Sequence, residues 1–149
     1  MPCKDKYVLP AIKQARKKAD IVIVFAHWGV EYNHHPMKSQ RQSAAALAKA
    51  GATLVLGAHS HVAGAIGQFG DTTVLYSLGN FIFDQNFRTD TMESVLAELT
   101  WQGDRLVQLR LHPILTIDQA QPNLLDPATD DGRALLKTIR SASRKLVDW

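Results

Sequence analysis

Residues 52–64 read ATLVLGAHSHVAG: an apolar run stops at a histidine, skips one position and meets a second. Upstream, residues 20–31 read DIVIVFAHWGVE and end an apolar run on a single histidine. Continuous runs of this kind are expected of parallel strands covered on both faces. Between them, Ser39 to Ala50 is an alanine-rich stretch closed by Gly51, the pattern of a helix with a glycine C-cap. Strand, helix and strand make a βαβ crossover, which sets the two strands parallel and near one another. Open α/β sheets build ligand sites outside the carboxyl ends of parallel strands. His27, His59 and His61 are therefore expected at one edge of one sheet.

Working outward, Pro10 suits the first turn of a helix continuing through AIKQARKKA. A loop runs from His27 to Pro36. Beyond Gly64 the pattern changes: GAIGQFG, TTVLYSL, MESVLAELTWQ and RLVQLRLHPILTI read as strands joined by short turns at Gly70-Asp71 and Gly103-Asp104. Short connections imply antiparallel pairing. DQAQPNLLDPATDD reads as a polar, proline-bearing loop. DGRALLKTIRSASRKLVDW reads as an amphipathic C-terminal helix with Leu135, Leu136, Ile139 and Leu146 on one side. The fold class is α/β, a parallel βαβ portion followed by antiparallel strands and a C-terminal helix, in a single domain over residues 1–149.

The chain has 149 residues and a formal net charge of +3, long enough for one hydrophobic core. Its basic clusters, Lys13 to Lys18 and Arg140 to Lys145, fall on expected helices and read as solvated faces, so no nucleic-acid partner is expected. The lone cysteine, Cys3, excludes an internal disulfide. No apolar stretch approaches the roughly 20 residues of a membrane span, and MPCKDKY is no signal peptide.

In extended backbone, positions i and i+2 point the same way, roughly 6–7 Å apart. His59 and His61 then reach one ion together, or two neighbouring ions separately. Imidazole suits Zn, Mn, Fe, Co or Ni. Glu31 is near enough to His27 in sequence to serve as its partner or as a general acid/base, or to stand as a solvated loop carboxylate. His34 and His35 read as surface residues of a polar loop, and His112 as structural. Ser60 lacks a nucleophile elbow, and neither a Walker lysine loop nor a dinucleotide fingerprint occurs.

AHWGVEY (26–32), GAHSHV (57–62) and YSLGNFIFDQ (76–85), in this order, resemble the bacterial capsule-synthesis family (CapA-type, poly-γ-glutamate biosynthesis) of the calcineurin-like metallophosphoesterase superfamily. The resemblance runs from about Tyr7 to Pro113 and includes the Pro36-x-x-x-Gln40 pattern. It implies a site where two metals, bridged by an aspartate, activate a water against a phosphate ester. By that likeness His27 and His59 bind the second metal and His61 the first, the metal being Mn, Zn or Fe. Asn80 and Asp84 fall near the site edge.

Ser60 stands where this branch commonly has proline, and Gly64 where it often has glutamine. The superfamily's Asp-x-His is absent, and so is its Gly-Asn-His, since Gly79-Asn80 is followed by Phe81; no Gly-Asp supplies the bridging aspartate, because Gly70-Asp71 and Gly103-Asp104 come too late and sit in turns. The expected fold is thus the C-terminal half of the metallophosphoesterase sandwich. The implied function is a metal-dependent phosphoesterase-like protein of capsule or poly-γ-glutamate production, acting on a phosphate ester or anionic capsular polymer, in the cell envelope or otherwise extracytoplasmic. The alternative is a non-catalytic binding or assembly module, completed by a partner chain that supplies the missing N-terminal half or by self-association.

Overall fold

Valine and isoleucine restrict the backbone toward extended conformations, and both apolar runs form strands. The structure, a computed structural model, describes residues 5–118 and 120–147. Cys3 and the end of the expected C-terminal helix, Asp148 and Trp149, lie outside the described residues. The elements in chain order are α1 (Asp5–Ala15), β1 (Ile23–His27), α2 (Lys38–Ala50), β2 (Leu54–Ala58), β3 (Ile66–Phe69), β4 (Thr72–Leu75), α3 (Thr89–Met92), β5 (Glu93–Gln102), β6 (Arg105–Ile117), β7 (Gln121–Leu124) and α4 (Asp130–Ala142). One sheet has the order β1-β2-β4-β3, and a second has the order β5-β6-β7. β1, β2 and β4 run parallel, while β3 is antiparallel to β4. The two expected turns form as read, with positive φ at Gly70 and Gly103 closing two-residue hairpins.

Side chains alternate across the first sheet, so its two faces bury different clusters. Val55, Val74 and Tyr76 pack with Ile12, Ala44 and Leu47 from α1 and α2. Leu54, Leu75 and Ile66 pack with Val95, Leu135 and Ile139 from β5 and α4. The sheets are joined through Leu78, whose N–H donates to the Gly57 carbonyl and whose carbonyl accepts from Val95 N–H. Among the described residues, no helix is long and apolar enough to cross a membrane.

Several expectations change. β1 is not covered on both faces: it is an edge strand, with Ile23 and Phe25 exposed, Phe25 at 69%. No β1 residue joins the cluster under the second sheet. Pro10 sits inside α1 rather than in its first turn. The preceding turn places Val8 and Leu9 against the core, which offsets the backbone hydrogen bond that proline removes. The expected loop after β6 contains β7, whose Pro122 is tolerated because β7 is an edge strand. α4 stops at Ala142, where Ser143 Oγ returns a hydrogen bond to the Ile139 carbonyl.

Tyr76 is only 3% exposed, and its hydroxyl has no hydrogen-bond partner among the described residues. Burial pushes its pKa up to about 12, against a smaller opposing pull from Arg41. Tyr76→Phe removes an unsatisfied buried group and is expected to stabilise the fold by about 1 kcal/mol in urea denaturation. In the unchanged protein, stability is full below pH ~10, the unfolded tyrosine value, and declines as pH rises from there toward 12. Tyr76→Phe should flatten that decline.

Candidate metal centre

The β1–β2 register ends with His27 opposite Ala58, and Trp28 N–H closes the pair on the Ala58 carbonyl at 3.1 Å. The Trp28 indole then crosses β2 to donate to the Tyr76 carbonyl at 3.1 Å, its ring stacked on Tyr76 at 5.7 Å. Gly57 is the residue crossed. A Cβ there would lie 2.0 Å from the Tyr76 oxygen and 2.7 Å from the indole nitrogen, so no side chain fits. The ends of β1 and β2 and the segment after β4 are thereby fixed relative to one another.

The chain beyond β2 does not continue extended, as the i, i+2 reading supposed. His59 has φ 101° and His61 φ 61°, and Tyr32 on the facing loop has φ 62°. These are left-handed conformations that side chains with a Cβ adopt at a cost. The loop is held by local bonds: Tyr32 N–H donates to the Ser60 carbonyl at 2.7 Å, and the buried Ser60 hydroxyl donates to the Val62 carbonyl at 3.1 Å. Strain held in place by its surroundings is a mark of functional segments.

This bent path brings His59 Nδ1 within 3.1 Å of His27 Nε2, with ring centroids 4.8 Å apart. The His61 ring lies 6.3 Å from that of His59, and its Nδ1 meets Asn80 Oδ1 at 2.9 Å. Two imidazole nitrogens so spaced can share one proton, and they also match neighbouring donors on one ion with bonds of about 2.0–2.1 Å. The His27–His59 pair therefore fits a transition metal as two of its ligands. Among the described residues, no group of three or more His, Cys, Asp or Glu side chains is arranged to hold an ion. Glu31 is exposed, with no hydrogen bond or ion pair among the described residues, and Asp84 is exposed.

Other residues were not legible as site neighbours. His34, expected at the surface, is half-buried: its Nδ1 donates to the Ala63 carbonyl at 2.7 Å, and its own carbonyl accepts from Ala65 N–H. His35 is exposed as expected, and His112 pairs with Glu98 at 2.8 Å. Phe83 and Tyr32 flank His61, and Phe87 stands edge-on to Tyr32. Hydrogen bonds from Arg88 hold the Asp90 carboxyl below the usual carboxylate range. Burial, with the neighbouring Asp90 charge, pushes Glu93 above it.

Comparison with known proteins places the chain in a family. The family model for the bacterial capsule synthesis protein PGA_cap matches residues 3–85. The "PGA biosynthesis protein CapA" of Bacillus subtilis (strain 168) is 39% identical over 122 residues, covering 82% of this chain and 32% of that protein. The "Capsule biosynthesis protein CapA" of Bacillus anthracis is 32% identical over 139 residues, covering 93% of this chain and 33% of that protein. The chain spans about a third of the length of these relatives.

The left-handed backbone at His59 yields a stability ordering. His59→Gly should be more stable than His59→Ala by about 1 kcal/mol, measured by thermal or urea unfolding of the two variants. At a relaxed position with negative φ the glycine would be the less stable of the two, so that order would show that no strain is held there.

Proposed function

The chain belongs to the bacterial capsule synthesis protein family, and on that premise we propose that its strand-end histidines hold a divalent transition metal for phosphoester chemistry in capsule or poly-γ-glutamate production. The observation that carries this reading is the His27–His59 nitrogen pair, 3.1 Å apart at the ends of adjacent parallel strands. His61 adds a third imidazole beside them. Mn, Zn or Fe suits such nitrogen donors. A metal bound there supplies Lewis-acid polarisation of a phosphoryl oxygen and lowers the pKa of water. The chain's own part is to hold the ion with neutral donors that leave its positive charge for an anionic substrate, a phosphate ester or an anionic polymer. To Glu31, exposed on the loop after β1, this reading assigns the acid/base work. The superfamily's bridging aspartate has no counterpart here, so the isolated chain turns over slowly if at all.

A second reading is favoured by β1, whose unpaired edge and exposed Ile23 and Phe25 suit association. In that reading the chain is an assembly module, completed by another copy or by a further part of a longer protein.

After loading with Mn or Zn and gel filtration, elemental analysis should find about one ion per chain, and His59→Ala should lose it. Equal, near-zero metal in both would sink the metal reading. Sedimentation velocity addresses the second reading. The wild-type chain should associate as concentration rises, and Phe25→Lys should stay monomeric, since an edge lysine blocks strand pairing.

A further inference from the structure

Asn80 lies in the segment YSLGNFIFDQ, which follows β4. Its side chain sits between three groups: His61 Nδ1 at 2.9 Å from Oδ1, and Gln85 Oε1 at 3.2 Å and the Thr91 carbonyl at 3.0 Å from Nδ2. An amide can be turned either way in a structure, so its orientation has to be argued from partners that admit one role. The Thr91 carbonyl is such a partner, because it can only accept. The Asn80 NH₂ must therefore face Thr91, which leaves Oδ1 facing His61. Oδ1 can only accept, so His61 must carry its proton on Nδ1.

We infer that Asn80 is a positioning residue: of the two imidazole tautomers of His61 it selects Nδ1–H, the one that leaves Nε2 as the ring's acceptor nitrogen. Among the described residues no other hydrogen bond reaches the His61 ring: Tyr32, Phe83 and His59 stand beside it as tilted rings, and His59 Nδ1 is turned to His27 instead. Asn80 is itself well anchored. Thr91 is 1% exposed, and its hydroxyl is bonded to the Gln85 and Arg88 carbonyls, so the backbone that orients the amide is fixed. Metal-binding imidazoles are generally held this way through the nitrogen that does not bind the ion. The inference rests on the metal reading only for the use made of Nε2; the tautomer stands on the hydrogen bonds alone.

Long-range ¹⁵N–¹H correlation spectra of the metal-free, ¹⁵N-histidine-labelled chain read the tautomer directly. His61 should show a protonated Nδ1 and a pyridine-like Nε2, assigned by the disappearance of its signals in His61→Gln. Asn80→Ala should shift the population toward Nε2–H and weaken Zn binding by roughly 10–100-fold in a competition titration. Gln85→Ala leaves the Thr91 carbonyl in place and should retain the wild-type tautomer, which a general loosening of the loop would not. A wild-type Nε2–H tautomer, or an unchanged tautomer in Asn80→Ala, overturns the inference. A tautomer that depends on Asn80, in a chain that binds no Zn, upholds the positioning role and removes the metal reading instead.

Discussion

One hydrogen bond organises the end of the molecule where the chemistry gathers: the Trp28 indole N–H reaches over β2 to the Tyr76 carbonyl. Trp28 is the residue after His27, Gly57 lies two before His59, and Tyr76 opens the segment that leads to Asn80. A single crossing thus sets the relative positions of three chain segments that are distant in sequence. Each partner is constrained by it. The indole is buried with its polar atom satisfied, the residue crossed must be glycine, and the tyrosine ring is taken up in stacking, with its hydroxyl buried. The uncompensated hydroxyl is the cost of placing a large ring there rather than part of the site's chemistry.

Much of the architecture was legible. β-branched runs announced the parallel strands, Gly51 closed α2 as its C-cap, and two Gly-Asp pairs marked the hairpins, because these signals are local to the residues that carry them. The misreadings share a cause. An apolar run reports that side chains avoid water but not what covers them, and the one-sided exposure of Ile23 and Phe25 follows from β1 being an edge. That is a property of the assembled sheet. Pro122 argued for a loop because a proline lacks a donor, yet an edge strand needs none on its outer side. Pro10 was likewise placed by a local rule that the packing of Val8 and Leu9 overrode.

The site was legible in its residue types and illegible in its backbone. Histidines at two strand ends could be seen to converge, but their spacing was reasoned on extended chain, whereas His59 and His61 both occupy left-handed conformations. Nothing in Ala-His-Ser-His signals this, since the bend is imposed by the Tyr32–Ser60 bond from another loop. The hydrogen bond from His34 to the Ala63 carbonyl is similarly non-local. Asn80 is an intermediate case: its nearness to the edge could be read from the motif, but its effect on His61 required knowing that a main-chain carbonyl stood on its other side.

The strand pairings also differ in when they can form. β5 and β6 meet across a two-residue turn, a contact that closes within microseconds in isolated hairpins. The parallel pairing of β1 with β2 must bring together residues such as His27 and His59, 32 positions apart, and non-local pairing of this kind is the slow part of folding. The histidine edge lies wholly on the slow side. During refolding the antiparallel sheet should therefore acquire amide protection first. The strand ends, with the strained loop between them, should close last, so a kinetic intermediate of this chain would be structured and yet unable to present its imidazoles together.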